Sequence, residues 1–287
     1  MQIGVTFPQN EIGADPIAIL DYVQAAEELG YSYLVAYDHI VGAGDTHPKE
    51  WGYSRQLFHE PFVLFGYIAA LTRLELVTAV IILPQRQTAL LAKQAAEIDI
   101  LTHGKFRMGV GVGWNPLEYE AQGADFHTRG RAIEEQVEIL RQFWTQDFVT
   151  YKGRFHTIND AGLNPPPVQR PIPIWMGGSS DSLLRRVARI GDGWFPQGPP
   201  DAAMHATLER LRGYTQEAGR DPGAVGIDAR LNANEGDLDD LVRRTEEWSK
   251  LGATHISLNT MRAGYRSPGE HIEAIRRYME AVKPDTL

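Results

Sequence analysis

Asp38 and His39 stand at the end of an apolar strand pattern, Tyr33 to Tyr37, and form the most chemically equipped pair in the chain. A histidine at a strand end can exchange a proton near neutral pH, and a neighbouring carboxylate can orient its ring, although adjacent strand residues point to opposite faces. The same two residues also suit a polar strand terminus that caps a loop. Gly177-Gly178-Ser179-Ser180 directly precedes a helical pattern. Glycines let the backbone approach an anion, and the free amides and dipole of a first helical turn favour negative charge there, which makes this a phosphate-site candidate. An N-cap serine after a tight turn calls for the same residues. Gly109-Val110-Gly111-Val112-Gly113 is no dinucleotide fingerprint, because G-x-G-x-x-G requires glycine where Trp114 stands. Glycine at alternate strand positions clears one face, either for the flat body of a ligand or for a large neighbouring side chain. His39, His47, His59 and Glu60 fall in or near one long loop, without an H-x-H strand pair or an acid at a later strand end. No metal site is expected from them.

These residues need elements to hold them. Leu74 to Pro84, L-E-L-V-T-A-V-I-I-L-P, is the most apolar strand pattern, and it lacks the alternation of a strand with one wet face. Thr78-Ala79 is a soft spot in it, either room for something flat to reach the backbone or a small core residue opposite a large one. Further strands are expected at Ile3–Phe7, Tyr33–Tyr37, Lys105–Val112, Ile172–Met176, Gly193–Pro196, Val225–Leu231 and His255–Asn259. Three- and four-residue apolar spacing, with Gly30, Gly104, Gly191 and Gly252 as stops, predicts the helices. They fall at Pro16–Leu29, Pro61–Leu71, Thr88–Leu101, Arg131–Trp144, Asp181–Ile190, Ala202–Ala218, Leu238–Leu251 and Gly269–Val282. Eight strands each followed by a helix imply parallel pairing, right-handed crossovers and closure into a barrel. The expected fold is therefore α/β, a single-domain (β/α)8 TIM barrel over residues 1–287. It carries a long aromatic loop, Val41 to Glu60, after strand 2 and a short hairpin, Phe148 to His156, after helix 4. In such a barrel binding and catalytic groups gather at the carboxyl ends of the strands.

A hydrophobic fraction of 43% and a charged fraction of 23% suit a chain with a large core. The formal charge of −9 argues against nucleic acid or an anionic membrane as partner, since both need a basic face. There is no cysteine, so disulfides, thiolate metal sites and a cysteine nucleophile are excluded together. Met1-Gln2-Ile3-Gly4 opens directly as a strand without a signal-peptide pattern, and no apolar run reaches the length of a membrane span, so a cytoplasmic protein is expected.

With these motifs in view, the chain resembles the bacterial luciferase-like superfamily of flavin and deazaflavin oxidoreductases, and within it the actinobacterial group that uses coenzyme F-420. The resemblance rests on Y-D-H at Tyr37 to His39 and T-A-V-I-I-L-P at Thr78 to Pro84. It extends to A-K-Q-A-A-E-I-D-I-L-T-H-G-K at Ala92 to Lys105, to G-V-G-V-G-W after it, and to G-G-S-S followed by A-R-I-G-D-G-W at Ala188 to Trp194. It implies a tricyclic ring held at the strand ends. One face of the ring would rest on a non-prolyl cis peptide, here Ala79-Val80, with Gly113 and Trp114 beside it. Phosphate contacts would fall at Gly177, Gly178, Ser179 and Ser180, Asp38 near the ring, and His39 at the reacting carbon, moving the substrate proton. The sugar-phosphate dehydrogenase branch has glutamate where this chain has Trp114, so that substrate is not carried over, although Glu118 lies one turn away. Trp51, Tyr53, Glu118 and Trp194 are expected as lid and wall of a site for a small, fairly apolar substrate.

The expected activity is hydride transfer between the deazaflavin F-420 and such a substrate. The alternative is an FMN-dependent monooxygenase that takes reduced flavin from a partner reductase. A non-catalytic cofactor-binding barrel is a more distant reading, and a metal-dependent barrel hydrolase more distant still. Expected partners are a small-molecule substrate, neither nucleic acid nor membrane, and a second copy of the chain in a homodimer.

Overall fold

The computed structural model describes residues 1–48, 53 and 55–282. In chain order the first elements are strand β1 (Gln2–Thr6), helix α1 (Pro16–Glu28), β2 (Tyr33–Ala36), α2 (Pro61–Ile68), β3 (Glu75–Thr78), β4 (Ile81–Ile82), α3 (Thr88–Leu101) and β5 (Phe106–Gly111). Next come α4 (Pro116–Ala121), α5 (Arg129–Thr145), the antiparallel hairpin β6 (Val149–Lys152) and β7 (Thr157–Ala161), β8 (Ile174–Gly177), α6 (Asp181–Ile190) and β9 (Gly193–Phe195). The chain closes with α7 (Ala202–Glu217), β10 (Gly226–Asn232), α8 (Leu238–Lys250), β11 (His255–Asn259) and α9 (Pro268–Val282).

The large sheet runs β3-β2-β1-β11-β10-β9-β8-β5-β4, and β3 also pairs with β5, so it closes on itself as the expected (β/α)8 barrel. β3 and β4 are two halves of one barrel strand. The expected strand Leu74–Pro84 is therefore interrupted, and the peptide bond between Ala79 and Val80 is cis. Leu76 and Val77 pair with Phe106 and Arg107, and pairing resumes with Ile81 and Ile82 opposite Val110 and Gly111. Three residues, Thr78 to Val80, thus span what Met108 and Gly109 span on β5, which makes a bulge of one extra residue.

Across this bulge the Thr78 hydroxyl substitutes for the ladder. It donates to the Gly109 carbonyl at 2.9 Å and accepts from the Gly109 amide at 3.0 Å. The alternating glycines of β5, and Gly113 just beyond its end, serve the same feature. A Cβ on Gly109 would lie 1.8 Å from the Thr78 carbonyl oxygen, one on Gly111 2.6 Å from a Val80 methyl, and one on Gly113 2.8 Å from an Ile82 methyl. Of the two openings the glycine pattern allowed, a ligand's flat body or a large neighbour, the neighbouring strand and its side chains fill the space.

Below the bulge the barrel interior is polar. Arg107 on β5 is 2% exposed and donates to Asp228 at 3.0 Å and to Glu75 at 3.1 Å. Its guanidinium lies 4.8 Å from the Tyr33 ring centroid and 4.3 Å from that of Trp175, and Tyr33 donates its hydroxyl to Asp228 at 2.7 Å. Burial pushes the Asp228 carboxyl up to about 6 against the pull of Arg107, and burial, reinforced by Arg107, pushes the adjoining His255 down to about 3. This plug closes the barrel beneath the mouth. Gly193 and Gly226 make room for it, since a Cβ on either would strike the Trp175 ring at 2.2 and 2.3 Å.

Candidate functional site

The carboxyl ends of the strands enclose a cavity of about 580 Å³, within the range of small-molecule and cofactor sites. Ala79, Val80 and Ile82 make one wall with Gly111 to Trp114. Gly177 to Ser180 and Phe195 to Gln197 make another, Tyr37 to His39 and Arg230 a third, and Val35, Asp228 and Ser257 the floor. The bulge therefore presents a shelf of backbone and small side chains rather than bulky residues.

His39 lines this cavity, and its partners hold the ring in place. Glu118 Oε1 lies 3.2 Å from His39 Nδ1 and also accepts the Ile40 amide at 3.2 Å. An oxygen that already accepts an amide proton keeps Nδ1 as the ring's donor, and Nε2 has no hydrogen-bond partner among the described residues. Tyr53 and Phe58 pack on the imidazole with centroids 4.1 and 4.6 Å away, and Asn115 donates to the Tyr53 hydroxyl at 2.8 Å.

Glu118 was expected on the lid or against substrate. It is instead 2% exposed and turned inward to His39, because the chain after Trp114 forms α4, a helix the sequence reading did not include. Its signal was Asn115-Pro116-Leu117-Glu118: an N-cap asparagine, a proline at the first helical position and an acid at the third. Trp114 is 52% exposed and lines the cavity. Trp194 is not a wall residue. It is 1% exposed and donates its indole N–H to the Gly178 carbonyl at 2.8 Å, bracing the glycine turn from behind. Trp51 lies outside the described residues.

Asp38 lines the cavity, yet its carboxylate is engaged on the side of the bulge. Its Oδ1 accepts from Arg86 at 2.9 Å and its Oδ2 from the Ile82 amide at 3.4 Å. Burial raises its affinity for a proton, and Arg86 opposes the shift. Arg86 also donates to Glu60 at 3.0 Å, and Gln136 donates to the Leu83 and Arg86 carbonyls, so the strand end behind the shelf is fixed from two sides.

Gly177 sits at the end of β8, and Gly178 has φ 131°, which favours glycine. Ser180 is the N-cap of α6, accepting the Leu183 amide at 3.2 Å. The carboxylate of Asp181, in the first turn, would oppose a bound anion, but Arg185 at 3.0 Å and the Tyr214 hydroxyl at 2.6 Å hold it. The helix N-terminus thus opens on the cavity with its nearest acid engaged elsewhere.

Among the described residues no three metal-ligating side chains come together. His59 packs on Phe7, while Glu60 caps α2 and pairs with Arg86. Two cavity residues outside the expected set, Tyr37 and Arg230, touch each other, the arginine donating to the phenol oxygen at 3.1 Å. Their signal was position at the ends of strands 2 and 7, with Tyr37 also opening the Y-D-H motif.

The family model for luciferase-like monooxygenases matches residues 1–277. The chain belongs to that family. An uncharacterized protein of Mycobacterium tuberculosis is 34% identical over 223 residues, covering 75% of this chain and 77% of its own. That agrees with the actinobacterial group to which the sequence motifs pointed. An FMNH2-dependent dimethylsulfone monooxygenase of Pseudomonas fluorescens is 30% identical over 238 residues, which are 81% of this chain and 59% of that enzyme. Among solved structures, a secondary alcohol dehydrogenase dependent on coenzyme F-420, in complex with an F-420–acetone adduct, superimposes with a TM-score of 0.80. It shares 18% identity over 98% of both chains, so the likeness is one of fold. Luciferase-like barrels thus include relatives named for each of the two cofactors.

Proposed function

We propose that the protein is an oxidoreductase dependent on coenzyme F-420, moving hydride between the deazaflavin and a small organic substrate while His39 moves a proton at the substrate oxygen. The observation that carries this reading is His39 itself, held through Nδ1 by Glu118 with Nε2 unpartnered beside a cavity large enough for a tricyclic ring. Hydride transfer to or from a carbon bearing oxygen needs a proton moved at that oxygen, and a ring nitrogen fixed in tautomer and direction suits the task.

The residues present fit such a cofactor. Ala79 and Val80 offer a shelf for one ring face, Gly111 and Gly177 make room for the Val80 side chain in that shelf, and the start of α6 with Gly178 and Ser179 suits a phosphate. When bound, the deazaflavin supplies the hydride chemistry. The chain's share is orientation, exclusion of water and the proton at His39 Nε2. Tyr53 and Phe58 keep the imidazole from rotating, and Asp38 with Arg86 fixes the shelf from behind.

A second reading is an FMN-dependent monooxygenase supplied with reduced flavin by a partner reductase, favoured by the Pseudomonas relative. Titration of the protein with coenzyme F-420 and with FMN, followed by absorbance and fluorescence, separates the two. The first reading expects F-420 to bind at least about tenfold more tightly, and the reverse order selects the monooxygenase.

A further inference from the structure

We infer that a second compartment at the barrel mouth binds the carboxylate of an acidic substrate, an assignment to substrate that rests on the reading of His39 above. On the far side of Tyr37 and His39 from Gly177 to Ser180, the ends of β10, β11, β1 and β2 enclose a further volume of about 290 Å³. It shares Tyr37, His39 and Arg230 with the main cavity, so a ligand reacting beside His39 can extend into it. Strand 5, which carries the glycine turn, is across the barrel from these strands.

The compartment is lined by two guanidinium groups, Arg230 and Arg262, and by several side-chain amides including Asn10 and Asn234. Arg230 spends one N–H on the Tyr37 hydroxyl. The guanidinium of Arg262 has neither a hydrogen bond nor an ion pair among the described residues. Asn10 Oδ1 is buried without a partner, a position that a ligand's N–H or O–H group would satisfy. The acid in the lining, Glu235, is engaged by Arg244 at 3.2 Å and Asn232 at 2.8 Å. The Arg262 guanidinium is therefore left without a bonded acid among the described residues, on a chain whose formal charge is −9, beside Arg230, which lies in the field of Glu235 and Asp228. Paired guanidinium N–H groups match the oxygens of a carboxylate, and a local positive field draws an anion toward it.

The backbone supports the same assignment. Arg262 adopts φ 64°, the left-handed region, and its amide donates to Glu11 Oε1 at 2.8 Å, which holds it there. Non-glycine residues held in that region gather at binding and active sites. A carboxylate seated here would set the substrate's acidic end opposite the glycine turn and leave its reacting carbon beside His39.

Calorimetric titration with benzoate and with benzyl alcohol, neutral and of similar shape, tests this in the wild type and in the Arg262→Gln and Arg262→Lys variants. The expected result is benzoate binding at least about tenfold tighter than benzyl alcohol, a preference lost in Arg262→Gln and kept in Arg262→Lys. Equal binding of the two probes, or a preference unchanged in Arg262→Gln, overturns the compartment. A repeat in the presence of coenzyme F-420 separates its sources. Benzoate bound alongside F-420 supports a substrate seat, and benzoate displaced by F-420 gives the seat to the cofactor's own acidic groups, overturning the assignment to substrate. Loss of F-420 binding with the benzoate preference intact overturns the cofactor reading and leaves the carboxylate seat standing.

Discussion

Glu118 reaches His39 from a helix that lies one turn beyond the glycine-rich strand, with Oε1 3.2 Å from Nδ1 and the Ile40 amide on the same oxygen. The acid is a positioning residue and acts through the imidazole. If so, His39→Ala lowers kcat by about 10²–10⁴-fold, the usual worth of a placed general acid or base. Glu118→Gln lowers kcat with KM little changed. The double variant is no slower than His39→Ala alone, because two residues acting as one unit are not additive. Steady-state kinetics on the four proteins checks this, and additive losses in the double variant would show that Glu118 has a separate role.

Gly109 and Gly213 make a matched pair for stability. A Cβ on Gly109 meets the backbone oxygen of Thr78 at 1.8 Å, whereas one on Gly213, within α7, meets nothing within 4 Å. Gly109→Ala is expected to cost about 3 kcal/mol, since backbone must shift. Gly213→Ala is expected to add about 0.5–1 kcal/mol by removing helix-interior glycine. Urea unfolding of both variants supplies the comparison.

Asp38→Asn removes the buried partner of the half-buried Arg86 and leaves the guanidinium with half its compensation. Removing one partner of a buried pair costs about 3–5 kcal/mol, and the remaining bond to Glu60 places this case near the lower end, about 3 kcal/mol. Because Asp38 also accepts the Ile82 amide behind the shelf, the variant should bind cofactor more weakly than the wild type when both are measured under conditions where they are folded.

The interior plug predicts an acid-side weakness with a defined sign. His255 is pushed down to about 3 by burial and by Arg107, so between the ordinary histidine range and pH 3 the unfolded chain binds a proton that the folded chain refuses. Stability from this source is complete above about pH 6.5 and is lost as pH falls through that window. Asp228, pushed up to about 6, works the other way: its folded form takes up a proton first, so its contribution grows as pH falls from 6 toward 4. The histidine shift spans the wider window. His255→Gln should therefore lose less stability than the wild type between pH 7 and pH 4.5, measured as the change in urea midpoint. An equal or larger loss would contradict the assignment.

Much of the fold was legible because parallel barrel strands, covered on both faces, appear as apolar runs, while their helices show three- and four-residue spacing. β11, His255–Asn259, and α3, Thr88–Leu101, fall where the spacing puts them. What local pattern does not carry is pairing at a distance. Arg107 looks like an intrusion in an apolar strand until Asp228, 121 residues away, and the rings of Tyr33 and Trp175 enclose it. Trp194 suggested an open aromatic wall, and only the closed barrel turns its indole toward Gly178. The glycines of β5 signalled an empty face but not its occupant, which depends on a register shift in another strand. His39 was legible as a strand-end histidine. Its partner stands in a short helix whose start is marked by Asn115, Pro116 and Glu118 itself.

The exchange between the Thr78 hydroxyl and the Gly109 peptide also limits how the site can change over evolution or by engineering. The barrel is held shut along this seam by Thr78 and Gly109, which directly adjoin the Ala79–Val80 and Gly111 wall of the cavity. A substitution that reshapes the shelf for a different ligand therefore acts on the closure of the barrel as well. The Arg262 side of the mouth, beyond the strand ends, is where new specificity can be introduced without reopening the sheet.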